Sequence, residues 1–416
     1  MEATIFILYL LLFSFTITKI PYFIKSGLAK WELISLFVIK IAAGIAYARF
    51  YKLPRYYQGS DTWRFYKLSL SETQWLLHDP LAFFKDLFVY GYSSPGNILG
   101  VENSYWNDLK SNVPVKMMAI MNIFTNHSYY INIILFNFLF LFGLVALFKV
   151  FNNIYPQKKY LLIAGLFLLP STLFWCSGIH KDGLILSATG LIIYSFYRGL
   201  LTKFYPKYWI LIAFCSLLIF SLRNYVLLAL LPALLSWFLS NKYPKKSLTI
   251  FASVYFIGCG LLFLLPVISG SIDLPLYLSL KQKDFMQLQA TSVVNLPLLV
   301  PTFKGFVAFL PYAMDMAFLR PHLSEIKNYS YIPAAAEVLL LFGLVAYLLF
   351  EKKAKISSSP AIFFFVFFSM SILLICGYTI PFSGAIVRYR SFVFPFLITP
   401  LLGATNIFIK IIKNKI

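Results

Sequence analysis

Asp61 and Asp182 are the carboxylates of this chain whose placement suggests chemistry, because each stands in a short turn at the end of an apolar run. Asp61 lies in Gly-Ser-Asp-Thr-Trp-Arg-Phe-Tyr (Gly59 to Tyr66), and Asp182 closes Phe-Trp-Cys-Ser-Gly-Ile-His-Lys-Asp-Gly (Phe174 to Gly183). A pair of carboxylates suits general base catalysis or the binding of a divalent cation. An acceptor hydroxyl must lose a proton, and a phosphate leaving group carries charge that a cation balances. Should a divalent cation take part, Asp61 and Asp182 are the candidates to hold it; no motif indicates another cofactor. Each also has a plainer reading: Asp182 pairs with Lys181 or caps a helix starting near Gly183, and Asp61 closes an Asx-turn.

Cations recur near the same kind of junction. Lys181 adjoins Asp182, Arg223 occupies a very short connection in Ser-Leu-Arg-Asn-Tyr (Ser221 to Tyr225), and Arg320 stands in Phe-Leu-Arg-Pro-His (Phe318 to His322). Arg388 and Arg390 flank Tyr389 in Gly-Ala-Ile-Val-Arg-Tyr-Arg-Ser (Gly384 to Ser391). A planar guanidinium binds phosphate through two parallel hydrogen bonds, so a lipid-linked phosphate is a natural ligand, and Tyr389 could stack on a sugar. The plainer reading has these side chains snorkelling to headgroups or pairing with carboxylates. Lys40 and Glu337 fall inside apolar runs, where ionisable groups are functional candidates. Of the four histidines, His180 adjoins the proposed site and His78, His127 and His322 are isolated; none has zinc spacing, and a satisfied surface histidine is the plainer reading of each. The chain has no P-loop, no Gly-x-Gly-x-x-Gly before a helix and no Gly-x-Ser-x-Gly elbow. Nucleotide-driven transport and serine hydrolysis lose their support accordingly.

The elements that must position these residues are membrane helices. With 60% hydrophobic and only 12% charged residues and a mean hydropathy of +0.77, the chain is not an ordinary soluble domain. A hydrocarbon core about 30 Å thick needs roughly 20 apolar residues per helix. Eleven candidate spans meet this near 4–18, 31–50, 128–148, 160–176, 183–197, 208–222, 225–240, 248–268, 333–350, 360–379 and 392–409. Runs such as Ile131 to Leu147 are apolar on every face, which excludes the alternation of a β-barrel strand. The expected fold is all-α: one polytopic membrane domain over 1–416, its first helix retained rather than removed as a signal peptide. The cysteines read as buried free thiols, Cys215, Cys259 and Cys376 inside spans and Cys176 at the end of one.

The net charge of +21 is periodic. Lys19, Lys25 and Lys30; Lys149, Lys158 and Lys159; Arg198, Lys203 and Lys207; Lys242, Lys245 and Lys246; Lys352, Lys353 and Lys355; and Lys410, Lys413 and Lys415 occupy every second connection. The positive-inside rule makes those connections cytoplasmic, with the N-terminus outside, the C-terminus inside and anionic headgroups as partners of the basic fringe. No nucleic acid is needed to explain the charge. Most carboxylates then fall outside, in loops at about 51–127 (Asp61, Glu72, Asp79, Asp86, Glu102, Asp108) and 269–332 (Asp273, Asp284, Asp315, Glu325). Asp79-Pro80 predicts a capped helix stopping at Gly91, with Leu81, Phe84, Leu87 and Phe88 on one face, lying in the membrane interface or packed on neighbouring loops. Val300 to Leu319 is apolar but holds Lys304, Pro311 and Asp315, and reads as interfacial or re-entrant rather than a twelfth span.

In layout the chain resembles the multi-spanning GT-C glycosyltransferases that use polyprenyl-phosphate-linked sugars. The matching features are Asp61 in the first outer loop just after a span, Asp182 in the next outer turn, and Arg388-Tyr389-Arg390 before a Pro-containing last span (Phe394 to Leu397). The chain departs from the family in having Thr62 where a second acidic residue follows the first, and in one additional span before that loop. The resemblance implies a plasma-membrane transferase moving a sugar from a polyprenyl-linked donor to a glycan or lipid acceptor at the outer face. Asp61 is then the general base or the carboxylate that orients the acceptor, Asp182 orients substrate or holds a cation, and Lys181, Arg223, Arg320, Arg388, Tyr389 and Arg390 bind substrate. An oligosaccharide repeat-unit polymerase would use similar substrates. A transporter or flippase of lipid-linked oligosaccharide is the rival class; it would place its site near the membrane midplane, where Lys40 lies, and leave its substrate chemically unchanged.

Overall fold

The computed structural model describes residues 2–89, 91–96, 104–269, 272–288, 292–326, 329–351 and 359–406. Glu102 and the lysines at 352, 353, 355, 410, 413 and 415 lie outside the described residues. Within them the chain is helical throughout, with no strand and a single isolated bridge between Val293 and Phe382. Seven helices among the described residues are long and apolar enough to cross a membrane, or eight if one bent pair counts as a span.

The difference from eleven has local causes. The expected spans at 208–222 and 225–240 run together as Pro206–Lys242, two helices joined across a kink at Arg223 (φ −152°, ψ 85°), and count as one among the seven. The span at 160–176 is broken into Lys159–Phe167 and Pro170–Trp175, the second starting on a proline that cannot continue the first helix's bonding. Of the last, expected at 392–409, the described part is the helix Phe394–Ala404, which follows Ser383–Ser391 at a bend of 64°; 407–409 lie outside the described residues. The first, Glu2–Ile17, is apolar but has only 16 residues. Exposed Phe256, Val267 and Ile268 on the helix Ser247–Ser269 make a surface suited to hydrocarbon rather than water. Cys259 is exposed on the same helix, correcting its reading as a buried thiol; Cys176, Cys215 and Cys376 are buried.

By packing, the chain divides into two units, each built from two stretches of sequence: Met1–Val150 with Thr172–Leu227, and Phe151–Ser171 with Leu228–Ile416. In the first, the helices Tyr129–Ile154 and Lys181–Leu201 meet backbone to backbone. A Cβ on Gly143 would lie 2.2 Å from the Ser187 Cα, and one on Gly190 2.4 Å from the Gly143 carbonyl oxygen. Small residues allow this approach, as is usual where helices pack in lipid. Beside them the segment 51–127 is itself helical. Asp61–His78 and Tyr105–Thr125 run antiparallel, Asn122 Nδ2 donating to Ser69 Oγ and Thr73 Oγ1, both at 3.0 Å, while Lys116 pairs with Glu72 at 2.9 Å. Asp79 caps Pro80–Lys85 as expected, accepting from the Ala82 N–H at 3.0 Å. Of that helix, Phe83 is buried against Leu76 and Ala119, whereas Leu81, Phe84 and Phe88 are exposed.

The second unit has an aromatic core in which Phe365 stacks on Phe151 at 4.4 Å and Trp237 packs on Phe364 at 4.8 Å. The apolar stretch at 300–319 forms Phe303–Met314, a 12-residue helix too short to cross, followed by a wide turn at Asp315–Leu319. It lies against Pro360–Thr379 so closely that a Cβ on Gly377 would meet the Ala313 carbonyl at 2.2 Å.

Candidate functional site

Ser60 starts the helix Asp61–His78, its Oγ accepting from the Trp63 N–H at 3.3 Å, and so places Asp61 in the first turn. That end is fixed to two apolar helices: Trp63 Nε1–H donates to the Ala48 carbonyl at 3.1 Å, and the Thr62 and Tyr129 hydroxyls lie 2.5 Å apart. Asp182 also stands in a first turn, that of Lys181–Leu201, with His180 at the cap. Both carboxylates therefore meet the positive end of a helix dipole.

The turn leading into Asp182 is pinned from below. Lys40 Nζ donates to the Cys176 carbonyl at 3.1 Å and to Ser177 Oγ at 2.8 Å, and Asn137 Nδ2 donates to the Ser177 carbonyl at 2.8 Å. Gly178 is required there, because a Cβ would sit 2.2 Å from the Tyr47 ring. Lys40 thus spends its charge on the turn's polar groups.

The two helix starts converge on one imidazole. His180 Nε2 is 3.2 Å from Asp61 Oδ2, and Nδ1 is 2.8 Å from Asp182 Oδ2. Asp182 Oδ1 lies 2.5 Å from Arg223 Nη2, and Arg223 Nη1 donates to the Tyr225 hydroxyl at 3.1 Å. The break in helical geometry at Arg223 is where this guanidinium leaves its helix. The side chains of His180 and Asp182 are fully buried and Arg223 nearly so, whereas Asp61 is 32% exposed. The Asp182 N–H also points at His180 Nδ1, but at 3.4 Å; the 2.8 Å contact is the stronger, so we assign an Nδ1–H donating to Asp182. That tautomer turns the Nε2 lone pair toward Asp61, and their contact needs one further proton, on ring or carboxyl.

Around Asp61 two cations share a ring. Arg64 Nη2 is 3.6 Å from Asp61 Oδ1 with its guanidinium carbon 5.6 Å from the Phe65 centroid, and Lys181 Nζ is 5.5 Å from the same centroid. Phe65 is buried and stacks on His180 at 6.3 Å. The structure thus brings together Asp61, Asp182 and Arg223, with Lys181 at the edge. His180 and Arg64 complete the group: one stands two residues before Asp182, the other three after Asp61 on the same helix face.

The remaining candidates belong to the second unit. Arg320 pairs with Asp315 at 2.7 Å and with Glu325, and His322 Nε2 is 2.7 Å from Asp315. Arg390 is fully buried, its Nη1 donating to the Arg320 carbonyl and its guanidinium 4.8 Å from the Phe394 centroid, which leaves no surface for a substrate. Tyr389 packs edge-on to Phe285 at 6.2 Å, Arg388 is half-buried, and Glu337 accepts from the Ser171 N–H at 2.7 Å.

The plainer readings of the two carboxylates also change. Asp182 lies inside a helix that begins at Lys181, and the cap beside Asp61 is Ser60. A cation held jointly by Asp61 and Asp182 does not fit, because the His180 ring stands between them and Asp182 already faces Arg223. Among the described residues no three His, Cys, Asp or Glu side chains are grouped to hold a metal ion. No family model, curated protein or solved structure matches this chain.

Proposed function

We propose that the protein is an integral-membrane glycosyltransferase that moves a sugar from a polyprenyl-phosphate donor to a hydroxyl acceptor at the outer face of the cell membrane. The observation that supports it best is the row Asp61, His180, Asp182, Arg223: an accessible carboxylate backed by a buried imidazole whose other nitrogen faces a second carboxylate. General base catalysis asks for that arrangement, a group held in hydrogen-bond reach of the acceptor and oriented from behind. Arg64 and Lys181, both against the Phe65 ring, are the cations beside Asp61 suited to a phosphate. In this reading Arg223 serves Asp182 rather than the donor. The polyprenyl tail accounts for the apolar setting, and the periodic lysines for a crossing number near eleven with the loops at about 51–127 and 269–332 outside.

A repeat-unit polymerase is the same chemistry with an oligosaccharide in place of one sugar, and product length separates the two. A transporter would draw on Lys40, but its ammonium is committed to the Cys176–Ser177 turn. Purified Asp61→Asn is expected to lose about 100-fold or more in release of polyprenyl phosphate from a lipid-linked sugar. Undiminished turnover in both Asp61→Asn and Asp182→Asn would sink the assignment.

A further inference from the structure

We infer that His180 is the proton acceptor of this reaction, taking through Asp61 the proton that the acceptor hydroxyl loses. The inference rests on the transferase reading and goes beyond it, since a general base needs only Asp61.

Contacts within its own turn explain one ring nitrogen of His180 and not the other. Nδ1 faces Asp182, two residues on, whereas Nε2 reaches a carboxylate 119 residues away on a different helix. Burial sharpens the point. A side chain with no exposure has both nitrogens on carboxylates, the inner of which is matched by a nearly buried arginine. Each of the two contacts requires one proton. With the ring neutral, the Asp182 contact has its proton and the Asp61 contact lacks one, so two acceptor atoms face each other at 3.2 Å. A proton delivered to Asp61 fills that contact.

Asp61 and Asp182 face the ring directly, Arg223 stands behind Asp182, and Phe65 covers the ring face with Arg64 and Lys181 against the same phenyl group. Each carboxylate has an arginine beside it, Arg223 at Asp182 and Arg64 at 3.6 Å from Asp61, and a ring proton finds a carboxylate at either nitrogen.

The step balances as follows. The acceptor O–H bond breaks and its electron pair forms the new bond to the anomeric carbon. The bond from that carbon to the phosphate oxygen breaks and its pair leaves on the phosphate. The proton passes to Asp61 and from Oδ2 to His180 Nε2, and returns to water once product has left. Asp182 and Arg223 are positioning residues, holding the ring with its lone pair toward Asp61.

The test uses the full chain in detergent micelles with a panel of polyprenyl-phosphate hexoses and pentoses, reading released polyprenyl phosphate. His180→Gln keeps a hydrogen-bonding side chain but cannot shuttle a proton; its kcat is expected to fall about 100-fold with KM for the donor unchanged. His180→Ala is expected to fall as far and to regain about tenfold with added imidazole, a rescue that a merely structural histidine would not show. If Asp61→Asn is inactive while His180→Gln stays within about threefold of the parent, the relay is wrong and the transferase reading stands. If the parent protein releases polyprenyl phosphate from no donor, the transferase reading fails and takes the relay with it. Should both His180 variants lose their monodisperse peak, the isosteric Asp182→Asn carries the test, with the same kcat loss expected and an unchanged kcat overturning it.

Discussion

Truncating Arg223 leaves Asp182 as a fully buried carboxylate whose strongest partner is gone. Breaking a buried pair in this way costs about 3–5 kcal/mol, because the remaining carboxylate is shut off from water and has lost its guanidinium. Arg223→Ala is therefore expected to lower the thermal unfolding midpoint of the purified protein sharply. Arg223→Lys should fall between, since an ammonium lacks the planar fork that reaches Asp182 and Tyr225 together. The double variant Asp182→Asn, Arg223→Ala should be less damaging than the sum of the two, as neighbours sharing one interaction are not additive. A midpoint unchanged in Arg223→Ala would show that the pair carries no stability. At this scale the sequence named Asp61, Asp182 and Arg223 from residue type and position beside apolar runs. It sets His180 beside the site but reads it as a surface side chain, because the contact that decides its role joins residues 119 apart and leaves no local pattern. It missed Arg64 because an arginine one turn from an aspartate is commonplace on a helix surface. Arg223 and Arg390 were read as phosphate ligands for a physical reason that burial removes: a guanidinium committed to Asp182 or to backbone carbonyls has no face left for a headgroup.

Lys116 is to the helix pair what Arg223 is to the site. Its ammonium is almost buried, 2.9 Å from Glu72 and 3.0 Å from Asp86, and lies 4.1 Å from the Phe83 centroid and 4.7 Å from that of Trp75. One side chain thus joins Tyr105–Thr125 to the far end of the helix that begins with Asp61 and to the turn after Pro80–Lys85. Lys116→Met leaves two carboxylates facing an apolar side chain. The expected loss is about 3 kcal/mol, read as roughly 100-fold faster backbone hydrogen exchange over 61–78 wherever exchange passes through separation of the pair. Unchanged exchange there would mean that the polar ladder from Ser69 to Asn122 holds the helices without the lysine. The sequence announces the cap at Asp79-Pro80, which is local chemistry; the helix expected to reach Gly91 is Pro80–Lys85 followed by a tighter turn at Asp86–Phe88, with Leu81, Phe84 and Phe88 exposed and Leu87 half-buried. The two long helices flanking it were hidden: their buried faces carry Ser69, Thr73 and Asn122, polar residues that pair across the interface and so leave no apolar stripe to read.

At the scale of the whole molecule, the helical class and membrane setting follow from composition, whereas the crossing number turns on a few breaks that hydropathy alone places poorly. Pro206–Lys242 decides the matter. At 1.5 Å per residue its 37 residues extend about 55 Å, against a hydrocarbon core of about 30 Å, so a single straight crossing would carry many apolar residues into water. Its two ends are basic, with Arg198, Lys203 and Lys207 before or within the first turn and Lys242, Lys245 and Lys246 at the last, and its centre holds the interruption at Arg223. Basic residues at both ends of one crossing would put one cluster on the disfavoured side; two crossings that meet at Arg223 put both clusters inside. The expected arrangement therefore has Lys207 and Lys242 cytoplasmic and Asn224 outside, on the side where an outer-face transferase needs Asp182. Single cysteines at these three positions, in a background with the exposed Cys259 replaced by serine, report it through a membrane-impermeant maleimide on intact cells. Asn224→Cys should label at once, and Lys207→Cys and Lys242→Cys only after permeabilisation. If Lys207→Cys and Lys242→Cys label from opposite sides, the helix crosses once, the sidedness of every later segment inverts, and Arg223 with its partner Asp182 falls near the membrane midplane, which overturns a reaction at the outer face.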